Sequence, residues 1–164
     1  MISHIVELVV PSATAEQFYD FMIAPSDKRY SEWWPEEHLQ YHISKRGNEK
    51  HLGEEVYFDE NMGEKYRLAF FAMVTTANRP NKIVWQMKKF GVRLPAFLLL
   101  EMSDSLEGIH LKHELKLGYL GLGQLFDPLI GLYFNKSFRN ILEQHCRSEW
   151  SRLSIYLNKT TSKP

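Results

Sequence analysis

The fold is decided by one stretch near the C-terminus, residues 134–157, which reads FNKSFRNILEQHCRSEWSRLSIYL. At about 100° per residue, the α-helical step, one broad face of this stretch is apolar. That face carries Phe134, Ile141, Leu142, Cys146, Trp150, Leu153 and Tyr156. The pattern predicts a long amphipathic helix over residues 134–157 that packs its apolar face against another layer of structure.

Two ionisable residues, His145 and Glu149, interrupt this apolar face. They are four residues apart, so on a helix they lie one turn above the other. A buried face rarely contains an ionisable pair that lacks a partner. The sequence leaves three partners open: a metal ion, a substrate, or only the pair itself.

Length and composition predict one domain, residues 1–158, followed by a tail at residues 159–164. The chain has 164 residues, of which 44% are hydrophobic, which is enough for one globular core. Lysine plus arginine equals aspartate plus glutamate, so the charge gives no indication of nucleic-acid binding. A single cysteine excludes an internal disulfide and favours a reducing compartment, so we expect a cytoplasmic protein.

Neither a signal peptide nor a membrane span is expected. The N-terminal residues MISHIVELVV contain His4 and Glu7 and have no basic start. The least polar run, residues 117–134, is interrupted by polar residues and by Pro128.

The segments before the long helix predict one strand, two short helices and then six strands. The first strand is residues 4–10, a helix capped by Ser12 covers residues 13–22, and a second helix covers residues 27–34. The later strands are residues 39–45, 54–60, 65–76, 82–89, 94–103 and 108–119. Short turns join them, so the class is α+β, with one antiparallel sheet of about six or seven strands covered by the long helix.

This order of elements resembles the helix-grip fold of the SRPBCC (Bet v 1/START-like) superfamily. The resemblance covers essentially the whole chain and rests on element order more than on motifs. It implies a curved antiparallel sheet that wraps the C-terminal helix and leaves an apolar cavity between them. Because one fold serves many functions, it implies little about activity.

Strand alternation indicates which side chains face that cavity. Val56, Phe58 and Glu60 share one side of their strand, whereas Glu55 and Tyr57 share the other. The same argument on the other strands turns His110 and Glu114 to solvent and gives a cavity lined by Val56, Phe58, Trp85, Leu98, Leu111 and His113. Such a lining suits a small apolar or aromatic ligand.

Four ionisable residues are candidate metal ligands: His38, Glu60, His145 and Glu149. Two imidazoles and two carboxylates suit a divalent cation such as zinc. The His-x-x-x-acid spacing alone is weak, because about one such match arises by chance in this composition. The structural alternatives are a simple buried pair at His145 and Glu149, a solvated Glu60, a surface His38 and a core histidine at His113.

Three segments resemble the pattern of the diacetylphloroglucinol/phloretin hydrolase family. They are Tyr30-x-x-Trp33-Trp34-Pro35-Glu36-Glu37-His38, Asp59-Glu60-x-x-Gly63 and His145-Cys146-x-x-Glu149-Trp150-x-x-Leu153. The resemblance implies a zinc ion held by His38, Glu60, His145 and Glu149, and hydrolysis of a carbon–carbon bond between an acyl group and a phenolic ring. Glu54, Glu55 and Glu64 are close alternatives to Glu60.

Hydrolysis of an acyl–aryl bond also needs a general acid, because the ring carbon leaves protonated. His113 is the candidate that strand alternation turns inward. Tyr30, Tyr41 and Tyr66 are phenolic alternatives that the sequence does not rank. A metal ion with an open coordination position would polarise the acyl carbonyl.

Three functions therefore compete. The main hypothesis is a metal-dependent hydrolase acting on a small acylated aromatic or polyketide-like compound. The alternatives are a non-catalytic carrier or sensor of an apolar ligand, and a metal-free polyketide cyclase or aromatase that uses His113 and phenolic groups of the pocket. The expected partners are a small apolar or aromatic molecule and, in a homodimer, a second copy of the chain; no nucleic acid or membrane partner is expected.

Overall fold

A computed structural model of the chain describes residues 2–63, 65–118 and 134–161. The strands in these ranges are β1 (Ile2–Val10), β2 (His38–Lys45), β3 (Glu55–Met62), β4 (Tyr66–Asn78), β5 (Lys82–Lys89), β6 (Val92–Ser105) and β7 (Gly108–Leu117). The helices are α1 (Ala15–Ile23), α2 (Asp27–Trp33) and α3 (Lys136–Thr161). Three sequence predictions fall outside the described residues: Glu64 as an alternative ligand, Tyr119 as a strand end, and the last three residues of the tail.

All seven strands form one curved antiparallel sheet in the order β1-β7-β6-β5-β4-β3-β2. Consecutive strands from β2 to β7 are neighbours, and β1 adds to the far edge beside β7. The long helix α3 covers one face of the sheet, so the predicted α+β helix-grip architecture is confirmed. Within the described ranges, no helix is both long and apolar enough to cross a membrane.

The apolar face of α3 is buried as its periodicity predicts. Leu142, Cys146, Trp150, Leu153 and Leu157 are buried in the core, whereas Gln144, Arg147 and Ser151 are exposed. The helix begins at Lys136 rather than at residue 134, because the Asn135 side chain accepts a hydrogen bond of 3.0 Å from the Phe138 backbone N–H. At its other end the helix continues to Thr161.

The predicted cap of α1 at Ser12 is wrong. Thr14 caps the helix: its side chain accepts from the Gln17 backbone N–H at 3.2 Å, and the Gln17 side chain accepts from the Thr14 N–H at 2.9 Å. This reciprocal capping box needs Glu or Gln three residues after the cap, and Ser12 has Ala15 there. The chain instead turns at Ser12, with φ of 64°, and α1 begins at Ala15.

Alternation along the strands places the core between the sheet and the helices. Val56 and Phe58 of β3, Trp85 of β5 and Leu111 of β7 are almost completely buried on the inner face. The prediction that Glu114 is exposed to solvent is wrong, because this outer-face side chain is buried. Its charge is compensated by a hydrogen bond of 2.7 Å that Ser3 donates and by two lysines of β7. Burial therefore follows the predicted parity on the inner face, and ion pairs account for the buried acid on the outer face.

We expect Gly108→Ala to destabilise the protein more than Gly53→Ala. Both glycines have positive φ, 131° and 79°, so alanine costs about 1–3 kcal/mol of backbone strain at either position. A Cβ at Gly108 would also lie 2.2 Å from the Val10 carbonyl oxygen, whereas a Cβ at Gly53 would meet no atom within 4 Å. The clash should add about 1–3 kcal/mol. Urea unfolding followed by tryptophan fluorescence measures the difference, and equal losses would contradict this account of how β1 closes on β7.

Candidate ligand cavity and metal cluster

An apolar cavity lies between the inner face of the sheet and α3. It encloses about 60 Å³ of free volume. Most of its wall is aliphatic or aromatic and comes from β3 to β7, α1 and α3; the polar side is formed by Glu60, His113, His145, Cys146 and Glu149. The ionisable groups are thus gathered on one side of an otherwise apolar space.

Three of the predicted metal ligands form a buried cluster at this polar side. The ligand atoms of His38, His145 and Glu149 all lie within 4.8 Å of one another. These residues are 0%, 7% and 6% exposed. His38 Nε2 is 3.6 Å from Glu149 Oε1, which is too long for a good hydrogen bond. The donor set and its spacing therefore fit a divalent cation.

Three of the four imidazole nitrogens of this cluster lack hydrogen-bond partners. His38 Nδ1, His38 Nε2 and His145 Nε2 are buried and make no hydrogen bond. A buried polar group that stays unsatisfied costs about 1–3 kcal/mol. A metal ion binds a neutral imidazole through the lone pair of a ring nitrogen. Unpartnered ring nitrogens therefore also fit a cation site.

Glu60, the fourth predicted ligand, lies in the cavity wall but outside this three-residue set. It pairs across the β2–β3 ladder with His38, and Tyr30 donates its phenolic O–H to the Glu60 carboxylate. Burial is the largest influence on this carboxyl and raises its pKa to about 7, although the Tyr30 hydrogen bond opposes the shift. One carboxylate oxygen is thus held by Tyr30, and the second remains available.

Aromatic and acidic residues at the end of α2 and in the segment between α2 and β2 contact the two imidazoles. Trp34 stacks on the His145 ring at a centroid distance of 4.9 Å, and Trp33 packs edge-on against His38 at 4.1 Å. Glu37 Oε2 is 3.8 Å from His145 Nδ1 and accepts a hydrogen bond from the Gly63 N–H at 3.0 Å. Sequence reasoning missed Glu37, although its position beside His38 in the Trp-Trp-Pro-Glu-Glu-His run was a usable signal.

A second pair, Cys146 and His113, joins α3 to β7 on the cavity wall. Cys146 Sγ lies 2.9 Å from His113 Nδ1. Together with Glu149 they form another set of three ligand atoms within 4.8 Å of one another. Sequence reasoning placed Cys146 on the apolar face and did not pair it with His113, because the contact joins residues 33 positions apart.

Burial dominates the electrostatics of all these groups. It lowers the pKa of His38 and His113 to about 3 and that of His145 to about 4, so the imidazoles are neutral at pH 7. It raises the pKa of Cys146, and it raises that of Glu149, where the nearby Glu60 charge adds to the shift. Neutral imidazoles suit metal binding. A neutral His113 accepts a proton more readily than it donates one, which weakens the argument for His113 as a general acid.

The three tyrosine candidates have different surroundings. Tyr30 contacts the cluster through its hydrogen bond to Glu60. Tyr41 is completely buried and donates to the Ile23 carbonyl at 3.1 Å, so its O–H is already used by the backbone. Tyr66 is partly exposed and packs edge-on against Phe138 at 5.3 Å. Of the three, Tyr30 is the one whose hydroxyl contacts a predicted ligand.

The residues predicted to line the cavity occupy two depths. Phe58, Trp85, Leu98 and His113 belong to its wall. Val56 and Leu111 also point inward, but they are 0% exposed in the packed core and do not belong to the wall. Strand parity identifies the face of a residue, whereas its position along the strand decides whether it meets the cavity or other side chains.

Comparison with protein-family models and with curated proteins finds no match. Among solved structures, Ara h 8.0201 is similar with a TM-score of 0.64 and 8% identity over 96% of this chain and 98% of its own. The di-domain ARO/CYC StfQ from the steffimycin biosynthetic pathway gives a TM-score of 0.65 and 14% identity over 99% of this chain, which spans 52% of StfQ. SA2116 from Staphylococcus aureus, a protein of unknown function, is similar with a TM-score of 0.62 and 6% identity over 99% of this chain and 96% of its own.

At these identities the comparisons show the fold alone. This fold is the helix-grip fold of Bet v 1-like proteins, as the order of elements predicted. The comparisons do not show the resemblance to the diacetylphloroglucinol/phloretin hydrolase family, which stays a prediction from three short motifs.

We expect acid to destabilise the metal-free protein through its buried histidines. Burial lowers the pKa values of His38, His113 and His145 in the folded state. Below pH 6.5 the unfolded chain therefore binds more protons on these residues than the folded chain does. The free energy of unfolding consequently decreases as the pH falls. Down to pH 4.5 the raised pKa values of Glu60 and Glu149 oppose this effect, because there the folded state binds the extra protons. Below pH 4.5 the histidine effect is unopposed by these two groups.

The variant His145→Gln removes the contribution of one of these histidines to the pH dependence of stability. Its unfolding free energy should fall less steeply between pH 4.5 and 4 than that of the unsubstituted protein, by about 1.4 kcal/mol per pH unit at most. The exposed His110→Gln serves as the control and should leave the slope unchanged. Urea titrations in the presence of a chelator measure the slopes, and identical slopes for all three proteins would contradict the burial of a neutral His145.

Proposed function

We propose that the protein binds a small, mainly apolar molecule with an aromatic ring in the cavity between the sheet and α3. The observation that carries this proposal is the cavity itself, apolar on most of its wall and with its polar groups gathered on one side. Small-molecule sites commonly combine an apolar wall with a few convergent polar groups that fix orientation. This fits the carrier or sensor function better than any function that needs an exposed surface.

A ring-sized ligand requires side chains at the cavity wall to move. The free volume of about 60 Å³ holds only a few water molecules. Five apolar wall residues are also partly exposed, namely Leu68, Phe70, Met87, Leu98 and Phe138. They lie on the middle strands and the first turns of α3, so we infer that a ligand enters there. Met87 is the most adaptable of the five, since its side chain is unbranched.

We expect Leu98→Arg to weaken binding of 4′-hydroxyacetophenone, a single-ring acylphenol, at least tenfold. The arginine would place a charge in the apolar wall, and burying it beside the ligand is unfavourable. Phe97→Arg is the matched control, because Phe97 is the next residue of β6, partly exposed and on the other face of the sheet. Binding is measured by the change in fluorescence of Trp85 and Trp150, which line the cavity. Equal affinities of the two variants, or no saturable binding by the unsubstituted protein, would contradict the site.

A second candidate function is metal-dependent hydrolysis of such a compound. The specific observation in its favour is the His38, His145 and Glu149 cluster, with three buried imidazole nitrogens that make no hydrogen bond. Glu60 would add a fourth ligand through the oxygen that Tyr30 does not hold. Zinc accepts this mixture of imidazole and carboxylate ligands.

In this candidate function a bound zinc ion would polarise an acyl carbonyl and lower the pKa of a bound water. The residues of the chain itself would do the rest. Phe58 and Trp85 would hold the ring against the apolar wall, and burial of the site would exclude bulk water. Tyr30 would orient Glu60, and Glu37 would orient His145 through its Nδ1 side. Without a metal, the same cavity would suit the cyclase or aromatase alternative.

We expect His145→Ala and His38→Gln each to weaken zinc binding at this cluster by at least about tenfold while the fold is retained. The unsubstituted protein, stripped with a chelator and dialysed against zinc, should regain the ion, and His110→Gln should match it. Elemental analysis gives the zinc per chain, circular dichroism checks the fold, and release of the acid from an acylphenol measures turnover. If both cluster variants bind zinc as the unsubstituted protein does, the hydrolase candidate is rejected and ligand binding remains.

A further inference from the structure

We propose that His113, Cys146 and Glu149 form a second cation position, which shares the Glu149 carboxylate with the His38 and His145 cluster. This inference rests on the second candidate function at one point only, the carboxylate that it shares with the His38, His145 and Glu149 cluster. The ligand would be a divalent cation that accepts sulfur, such as zinc.

The geometry of the three donors is the first argument. Their ligand atoms lie within 4.8 Å of one another, all three residues are buried, and all three line the cavity. Ligands bonded to one zinc ion at about 2.0–2.3 Å lie about 3–4 Å apart. The set therefore needs only small side-chain movements to converge on one ion.

The helix geometry explains why one carboxylate serves both sets. Glu149 is four residues after His145 and three after Cys146, and both spacings bring side chains together on a helix. His145 and Cys146 are adjacent in sequence, so they point to different sides of Glu149. Since a carboxylate has two oxygens, each can face one of the sets.

The sheet places His38 and His113, the two histidines that α3 does not carry, on opposite sides of this helix. His38 comes from β2, which is one edge of the sheet, and His113 comes from β7, which is next to the other edge. Among the described residues, His38 and His145 group with Glu149, and His113 and Cys146 group with Glu149, but the five do not form one set. The arrangement therefore favours two positions over one crowded position. In proteins with two metal ions in one site, the ions are about 3.5–4 Å apart, a separation that a bridging carboxylate can span.

The donor types differ between the two positions. The first set offers two nitrogens and an oxygen, whereas the second offers a thiolate sulfur, a nitrogen and an oxygen. Thiolate ligands favour zinc and other borderline or soft metals over magnesium and calcium. The negative charges of Cys146, Glu149 and the neighbouring Glu60 would compensate most of the charge of two divalent ions in this buried place.

Cobalt titration of the metal-free protein, without oxygen, tests this inference. Cobalt can replace zinc as a visible probe, and a thiolate bound to it gives a near-ultraviolet charge-transfer band. Cys146 is the single cysteine of the chain, so this band can come from no other residue. We expect about two cobalt ions per chain, as in a two-metal site, and the thiolate band at saturation.

Variants separate the two positions. Cys146→Ser should abolish the band and bind about one cobalt ion less, and His113→Gln should weaken the band and its ion at least about tenfold, while the other ion is retained. His38→Gln should keep the band and lose the other ion. His110→Gln, on the exposed face of the same strand as His113, should keep both. Thermal unfolding confirms that each variant folds; if Cys146→Ser does not, His113→Gln and the unsubstituted protein still decide the result.

Three outcomes would overturn the second position. One is a single cobalt ion without a thiolate band, which would still support a cation site at His38, His145 and Glu149. Another is loss of the band and of all bound cobalt in His38→Gln, which indicates one mixed site. The third is a band that survives His113→Gln at unchanged affinity. A thiolate band with one ion that is unaffected by His38→Gln would support the second position and reject the first.

Discussion

The burial of one face of α3 against the sheet is the constraint on which the rest of this structure depends. That face contains His145, Cys146 and Glu149 together with large apolar side chains, so folding removes three ionisable groups from water at once. Removal from water disfavours every charged form, which keeps the imidazoles neutral and raises the pKa of the thiol and the carboxyl. The chemistry available in the cavity is thus set by how tightly the helix packs.

The topology of the sheet positions the two histidines of the site that do not belong to α3. The strand order brings β7 next to β1 and leaves β2 at the opposite edge, so a curved sheet approaches α3 from two sides. His38 arrives on β2 and His113 on β7, and each meets a different part of the same helical turn. A flat sheet could not bring both imidazoles to Glu149, and closure of the sheet around α3 therefore matters for the site as much as for stability.

Periodicity and alternation predicted the architecture and part of the site from sequence. The helical period placed His145 and Glu149 inside a buried face, and strand alternation turned Phe58, Trp85 and Glu60 inward. Contacts between distant segments could not be predicted in this way. The pairing of Cys146 with His113 depends on how β7 packs on α3, and the cap at Thr14 rather than Ser12 depends on a reciprocal bond with Gln17 that apolar periodicity does not reveal. The hydrogen bond from Tyr30 to Glu60 likewise depends on the packing of α2 against β2, because β2 pairs with the strand that carries Glu60.

The sequence left open whether His145 and Glu149 simply satisfy each other, and the geometry argues against that alternative. Among the described ion pairs, Glu149 Oε1 faces His38 Nε2 at 3.6 Å and His145 Nδ1 faces Glu37 Oε2 at 3.8 Å, so each has a partner other than the expected one, and neither contact is a good hydrogen bond. Both nitrogens of His38 and one of His145 are buried and unpartnered. Buried ionisable groups can often be replaced by apolar residues of similar volume without loss of stability, and sometimes with a gain. Three buried nitrogens that stay unpartnered are unfavourable for folding, and the ligand or cation that we propose for this side of the cavity would supply their missing partner.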